Sequence, residues 1–144
     1  MHLKIVTPEK VIYDDQIDEL IAPTVTGEIA ILPHHINLIT QLKEGEMTIK
    51  IKGREQHLAV TGGFLQVQND LITVLADYAI RSEEIDTQKA LEAQRRAEEI
   101  LKRKREEISE KDFAIAQADL RRALLELRIA KRRRKVTTLP HSEI

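Results

Sequence analysis

The chain has 144 residues, with 23 Lys and Arg against 24 Asp and Glu, no Cys, no Trp and 3% aromatic residues. The lack of Cys excludes a disulfide scaffold, a thiolate nucleophile and a zinc site that uses sulfur. No apolar stretch approaches the roughly 20 residues that span a bilayer, and the N-terminus resembles neither a signal peptide nor a transit peptide. We therefore expect a soluble protein of a reducing compartment, with a core of Ile, Leu and Val.

The net charge of −1 conceals two segments of opposite sign. Residues 1–84 carry 7 basic and 13 acidic side chains, a balance of −6, whereas residues 85–144 carry 16 basic and 11 acidic side chains, a balance of +5. An acidic segment followed by a basic one indicates two parts with different surroundings.

The pattern of residues 1–84 predicts an all-β domain. Short apolar segments of five or six residues recur about every ten residues, separated by Pro, Gly, Asn and Asp, which is typical of an antiparallel sandwich or barrel. The acidic pair Asp14 and Asp15 and the pair Glu83 and Glu84 are expected in turns. The predicted strands cover residues 3–5, 17–21, 28–32, 36–40, 47–52, 56–60, 64–68 and 71–76.

The pattern of residues 85–144 predicts an antiparallel two-helix hairpin. This segment has no Gly, its only Pro is Pro140, and good helix formers dominate it. Asp86 and Ser109 are predicted N-caps of helices of roughly 20 and 25 residues, joined by a very short loop. Because the apolar stripe of the first helix is mostly alanine, which buries little surface, we expect the hairpin to be held shut only weakly. The predicted stripes are Ala90, Ala93, Ala97, Ile100 or Leu101 and Ile108 in the first helix, and Phe113, Ala116, Leu120, Ala123 or Leu124, Leu127 and Ala130 in the second.

Known catalytic and metal-binding motifs are missing. The five His residues form no H-x-x-x-H pattern, so we predict no metal site. The glycine pair at Gly62 and Gly63 lacks the context of a phosphate-binding loop, which favours a tight turn between strands. His34 and His35 are more simply explained as a loop pair than as a functional contact. We predict no catalytic residues and no enzyme activity.

The basic run at residues 131–135, with Arg128 before it, is the strongest local charge signal. It is compatible with nucleic acid, an acidic membrane or an acidic protein, or simply with a solvated helix end opposing the helix dipole. Nucleic acid is disfavoured because the rest of the chain is acidic and this region lacks aromatic residues. An acidic protein partner fits better.

Four motifs in order resemble the epsilon subunit of bacterial and plastid F-type ATP synthases. Residues 27–35 resemble its G-E-x-x-x-x-P-x-H segment, residues 60–67 its S/T-G-G-x-x-x-V pair of strands, residues 74–79 its V-L-A-D-x-A segment, and residues 85–90 the I/L-D-x-x-R-A start of its hairpin. The resemblance implies an N-terminal β-sandwich followed by a two-helix hairpin, in agreement with the pattern.

The resemblance also implies a non-catalytic role in the central stalk, with the sandwich bound to gamma and seated on the c-ring. Glu28 and His35 match family positions at that contact. His34 stands in place of a family glycine and Asn37 in place of a second proline. The expected location is peripheral, on the cytoplasmic face of the bacterial plasma membrane or, alternatively, on the stromal face of thylakoids.

In the family, the hairpin can open towards the catalytic head and block ATP hydrolysis. The resemblance implies that basic residues of the second helix then face acidic segments of the beta subunits, with the alpha subunits as further partners. A weakly apolar, charged hairpin can exchange its own contacts for those of a partner at small net cost. The residues concerned are Arg121, Arg122, Arg128, Lys131, Arg132, Arg133 and Arg134.

Some family members bind ATP in the closed hairpin, and Asp86, Lys89 and Arg96 occupy the matching positions. Lys89 replaces an arginine and loses its bidentate fork, so a helix cap with two solvated cations is an equal alternative to a weak ATP site. We expect no required cofactor. A free-standing adaptor that docks its basic hairpin on an acidic surface is the competing function.

Overall fold

The computed structural model describes the backbone of residues 1–138 and the side chains of residues 1–133. It contains two compact units, one formed by Met1–Glu83 and one that begins at Glu84. The first unit consists of strands, and the second contains two α-helices. The strands are β1 (His2–Val6), β2 (Val11–Gln16), β3 (Glu19–Thr24), β4 (Gly27–Ile31), β5 (Leu38–Leu42), β6 (Gly45–Ile51), β7 (Arg54–Val60), β8 (Gly63–Gln68), β9 (Leu71–Ala76) and β10 (Ala79–Arg81).

The strands follow the order β10-β7-β6-β3-β5-β8-β9-β1-β2, and β4 pairs with β3. Neighbouring strands pair antiparallel except β1 and β9, which are parallel. Buried side chains alternate with exposed or half-buried ones along β8 and β9, so that one face of each strand is buried. The predicted fold class, a β-sandwich followed by two helices, is confirmed. The largest fully buried side chains of this unit are Leu3, Ile5, Leu20, Ile31, Met47, Ile49, Leu58, Val60, Leu65, Val67 and Ile72.

The sequence pattern did not predict two of the strands, β2 and β10. The strand β2 contains Asp14 and Asp15, so the prediction that this pair lies in a turn was wrong. β2 pairs only with β1, and Tyr13 is its one buried side chain. An edge strand with one core residue leaves no period-2 signal. The three-residue β10 is too short to show one.

The glycine pair lies where β8 begins: Thr61 and Gly62 form the short link from β7, and Gly63 is the first residue of β8. Since β7 and β8 do not pair with each other, the link is not the predicted tight turn. Gly62 and Gly63 have φ of +141° and +122°, a region that side chains disfavour. A Cβ on Gly63 would lie 2.0 Å from the Leu75 carbonyl oxygen. The position therefore requires glycine because the backbones of β8 and β9 approach too closely for a side chain.

The helical unit contains α1 (Thr87–Lys102) and α2 (Glu110–Thr138), which pack against each other. Both predicted N-caps are confirmed: Asp86 accepts from the Gln88 and Lys89 amides, and Ser109 Oγ accepts from the Asp112 amide at 3.0 Å. The predicted loop was too short, because extended residues and a 3₁₀ turn (Arg105–Glu107) fill residues 103–109. The Arg105 guanidinium lies 3.8 Å from the centroid of the Phe113 ring, which ties this connection to α2.

The buried side chains of the helices only partly follow the predicted stripes. Ala90 and Ala97 of α1 are buried, as are Ala116 and Ala123 of α2. Leu124 is 46% exposed, whereas two residues outside the predicted stripe, Leu125 and Ile129, are buried. These two lie about 120–180° around the helix from the buried alanines, so α2 is buried on two faces. No helix within residues 1–138 is long and apolar enough to cross a membrane.

Candidate functional site

His35 lies in the β4–β5 loop, residues 32–37, of the sandwich unit. Its amide donates to the Leu32 carbonyl at 3.2 Å, and its ring Nδ1 donates to the Ile36 carbonyl at 2.8 Å. Because a carbonyl can only accept, Nδ1 is the donor in this bond. Leu32 and Ile36 expose 54% and 78% of their surface on either side of His35. The loop therefore presents two apolar side chains and one imidazole.

Glu28 lies near the start of β4, whereas His35 lies in the loop that follows the end of β4. It is exposed and pairs across the ladder with Pro23, next to the turn that joins β3 to β4. The tripeptide from Ile29 to Ile31 separates it from the loop. The structure thus places the two predicted contact residues at the two ends of one edge strand.

The candidate nucleotide residues lie along the start of α1. Asp86 Oδ1 accepts from the backbone amides of Gln88 and Lys89 at 3.0 and 3.2 Å, so this carboxylate caps the helix. Lys89 and Arg96 are exposed, and seven residues place them on the same helix face about 10 Å apart. The three side chains form a line along the helix, with the acidic group at its N-terminal end.

A cleft of about 370 Å³ separates α1 from the beginning of α2. Its apolar lining includes Ala93, Ala97 and Ile115, and its polar lining includes Arg96 and Asp112. Neither Asp86 nor Lys89 lines it. The cleft indicates that small side chains leave the hairpin incompletely packed at the end near its connection.

The basic residues of α2 are mostly solvent-facing. Arg121, Arg122, Arg128, Lys131 and Arg132 are exposed, and Arg133 is partly buried. Helical spacing places Arg121, Arg128 and Arg132 on one face. The side chain of Arg134 lies outside the described residues. This face of α2 therefore presents positive charge over three turns.

The sandwich also holds a half-buried charged cluster that no motif indicated. His57 Nδ1 lies 3.4 Å from Glu46 Oε1, and His57 Nε2 lies 3.4 Å from Glu55 Oε2. Thr48 Oγ1 lies 3.2 Å from His57 Nδ1 across the β6–β7 pair. The cluster cross-links β6 and β7. Alternation along the two strands predicts this shared face, but only their register shows the contacts.

Tyr13 and Arg81 join β2 to β10. The guanidinium lies 5.9 Å from the centroid of the Tyr13 ring and donates to the Ile12 carbonyl at 3.2 Å. Burial raises the pKa of the Tyr13 hydroxyl, Asp15 raises it further, and Arg81 opposes them.

Within the described residues, no three His, Asp or Glu side chains converge to hold a metal ion.

Both units match family models. Residues 1–82 match the β-sandwich domain of the ATP synthase delta/epsilon chain, and residues 83–131 match its long α-helix domain. The chain belongs to the ATP synthase delta/epsilon family. Membership confirms the resemblance found in residues 27–35, 60–67, 74–79 and 85–90.

Bacterial relatives cover almost the whole chain. An ATP synthase epsilon chain of Dehalococcoides mccartyi is 44% identical over 135 residues, covering 94% of this chain and 95% of that protein. An epsilon chain of Nitrosomonas europaea is 42% identical over 135 residues, covering 93% and 94%. The chain is therefore similar to epsilon chains over their full architecture.

Two solved structures share the fold. A chain of the Euglena gracilis mitochondrial ATP synthase, described as OSCP/F1/c-ring, has a TM-score of 0.61 and 20% identity, covering 94% of this chain and 79% of its own. A chain of the Tetrahymena thermophila central stalk and c-ring has a TM-score of 0.56 and 15% identity, covering 90% and 96%. At these identities, the likeness concerns the fold.

Proposed function

We propose that the chain is a non-catalytic rotor subunit of a bacterial F-type ATP synthase, which couples gamma to the c-ring during proton-driven ATP synthesis. The observation that carries this proposal is the match of both units, in order, to the delta/epsilon family. The bacterial relatives favour a peripheral position on the cytoplasmic face of the plasma membrane. The subunit supplies surfaces and a movable element, and the reacting groups belong to other subunits.

The sandwich is the part that we expect to dock. Its core of large aliphatic side chains is fully buried, so its exposed loops keep fixed positions relative to one another. The β4–β5 loop with His35 and the edge strand with Glu28 are the proposed contacts with the c-ring, and gamma is the second partner.

Binding to gamma tests this role directly. The full chain should form a stable complex with purified gamma, and the complex should restore ATP-driven proton pumping to enzyme from which the chain was removed. A chain that is always recovered alone, and that docks on unrelated acidic proteins, would favour the free-standing adaptor instead.

The helical hairpin is the proposed inhibitor of ATP hydrolysis. Its buried residues in α1 are alanines, and a cleft remains between the helices, so opening exposes little apolar surface of α1. An opened α2 would present Arg121, Arg128 and Arg132 to acidic segments of the beta and alpha subunits. Attraction between these opposite charges would offset the cost of separating the two helices.

Truncation after Ile85 tests the inhibition, because the sandwich unit ends at Glu83. The assembled enzyme with the truncated chain should hydrolyse ATP faster than the enzyme with the full chain, and an unchanged rate would contradict the proposal.

The double variant Arg121→Gln, Arg128→Gln should release part of the same inhibition. Its control is Arg95→Gln, Lys102→Gln, which removes two exposed charges from α1.

We also propose that ATP is a regulatory ligand of the closed hairpin, held by Asp86, Lys89 and Arg96. The support is their alignment along one side of α1, where two cations can meet phosphate groups. Titration calorimetry of the full chain with MgATP should show binding that Lys89→Ala weakens and Lys111→Ala does not. Asp86→Asn keeps the helix cap and so tests the carboxylate as a ligand. If injections of MgATP into the chain release the same heat as injections into buffer alone, ATP does not bind, and Asp86 acts only as the helix cap.

A further inference from the structure

The β4–β5 loop contains a backbone conformation that its residue type disfavours. Leu32 to His35 form a turn closed by the bond from the His35 amide to the Leu32 carbonyl. Pro33 occupies the second position, and His34, at the third, has φ of +66°. Proline followed by a left-handed residue defines a type II turn, whose third position ordinarily takes glycine or asparagine. This turn therefore carries a histidine where a side chain strains the backbone.

Burial of the imidazole does not hold His34 in place, because its side chain is 89% exposed. The His34 amide instead donates to Asp70 Oδ1 at 2.7 Å. The other carboxylate oxygen, Asp70 Oδ2, lies 3.5 Å from His34 Nδ1. One carboxylate thus engages both the backbone and the ring of the strained residue. Hydrogen bonds to an ionised acceptor are stronger than neutral ones, so Asp70 is placed to offset the strain.

Asp70 is itself held firmly in the turn between β8 and β9. Asn69 and Asp70 have φ of +50° and +61°, as the two central residues of a type I′ hairpin turn do. The Asp70 carbonyl accepts from the His2 amide of β1 at 2.9 Å. A second bond joins this turn to the β4–β5 loop, since the Asn69 amide donates to Asn37 Oδ1 at 3.3 Å. The β4–β5 loop is therefore fastened to a turn that is anchored in the sheet.

We propose that Asp70 is the positioning residue of the β4–β5 loop. Its carboxylate holds His34 in the left-handed conformation, and thereby fixes where Leu32, His35 and Ile36 lie relative to the sheet. Without it, His34 would return to negative φ, and the chain that follows would change direction. This role rests on the proposed function, in which the loop contacts the c-ring.

The test uses Asp70→Gly, because glycine suits the left-handed turn and removes the side chain that carries the carboxylate. Asn69→Gly is the matched control, since it changes the neighbouring turn residue and keeps the amide that bonds Asn37. Asp70→Asn retains a side-chain oxygen acceptor and should rescue the interaction. His34→Gly adopts the turn conformation unaided, so it should suppress the effect of Asp70→Gly.

The first readout is hydrogen exchange of the His34 amide in the full chain, followed by NMR. Asp70→Gly should accelerate it about tenfold, as expected for the loss of one hydrogen bond, whereas Asn69→Gly and Asp70→Asn should leave it nearly unchanged. The second readout is proton pumping per ATP hydrolysed in the reassembled enzyme. Asp70→Gly should lower it, and the double variant with His34→Gly should restore it.

Unchanged exchange in Asp70→Gly would overturn the proposal. Faster exchange with unchanged pumping would overturn the link between this positioning and coupling. If Asp70→Gly alone fails to fold, a folded double variant with His34→Gly would support the proposal, and an unfolded one would overturn it. Failure of the unaltered chain to restore pumping would instead contradict the proposed function, because the exchange measurement does not depend on the assembled enzyme.

Discussion

The sandwich and the helical hairpin bury different side chains. The sandwich buries Leu, Ile, Val and Met across facing strands, whereas four of the six buried residues in the described part of the helices are alanines, the others being Leu125 and Ile129 of α2. At about 25 cal/mol per Å² of apolar surface, the larger side chains stabilise the first unit much more strongly. In the proposed function, this difference allows one chain to combine a sandwich that docks with a hairpin that opens.

Gly63→Ala should cause the greatest loss of stability. Its Cβ would lie 2.0 Å from the Leu75 carbonyl oxygen, so β8 and β9 would have to separate, at a cost of about 4 kcal/mol or more. Urea unfolding measures this loss. Gly27→Ala is the matched control, because Gly27 has a similar φ of +120° with nothing near its Cβ, and it should cost only about 1–3 kcal/mol. Equal losses would show that backbone strain, not close approach, requires Gly63.

Leu65→Ala should destabilise the sandwich by about 2–5 kcal/mol, because Leu65 is fully buried and its removal leaves a cavity. Leu75→Ala is the comparison, since Leu75 lies on the neighbouring strand and is 56% exposed. It should cost less than about 1 kcal/mol. Chemical denaturation followed by circular dichroism distinguishes the two, and similar midpoints would contradict a rigid, tightly packed sandwich.

Ala93→Leu should stabilise the closed hairpin by up to about 1 kcal/mol, because the added side chain fills the cleft that Ala93 lines. Slower amide exchange in α1 is the measurement. Ala114→Leu, on the exposed surface of α2, should leave exchange in α1 unchanged. Faster exchange in Ala93→Leu would mean that the cleft cannot accept the side chain without strain.

Tyr13→Phe should have the smallest effect, confined to alkaline pH. The folded-state pKa of Tyr13 is raised, so folding favours the protonated hydroxyl. This stability is present below the unfolded pKa of about 10 and is lost as the pH rises above it towards the folded pKa. Unfolding midpoints at pH 8 and pH 10.5 should therefore differ less in Tyr13→Phe than in the unaltered chain. An identical difference in both would show that Tyr13 does not contribute to the alkaline loss.

Strand prediction succeeded where burial imposed alternation and failed where it did not. The segment 47–52 alternates apolar and polar residues, and all of it but Lys52 lies in β6 as predicted. The edge strand β2 places Asp14, Asp15 and Gln16 in solvent, so its sequence resembles a turn. The buried Leu125 and Ile129 were missed because α2 does not bury a single stripe, and one stripe is all that helical periodicity can reveal.

Sequence motifs identified the candidate contact residues, but they did not reveal the hydrogen bonds that hold the β4–β5 loop in place. His34 was recognised only as a departure from a family glycine, and Asn69 and Asp70 only as the two residues between the predicted strands 64–68 and 71–76. The hydrogen bond from the His34 amide to Asp70 joins residues 36 positions apart. No local pattern encodes such a contact, because it depends on how β4, β8 and β9 come together.

Local sequence was enough to predict the division into an acidic β-rich segment and a basic helical one, both helix caps and the alanine-rich stripe of α1. These are local properties of composition, periodicity and capping chemistry, which do not depend on distant residues. The folded structure was needed to reveal the parallel pairing of β1 with β9, the close approach at Gly63 and the hydrogen bond from the His34 amide to Asp70. Each of these depends on strand register, which arises when distant segments share one core.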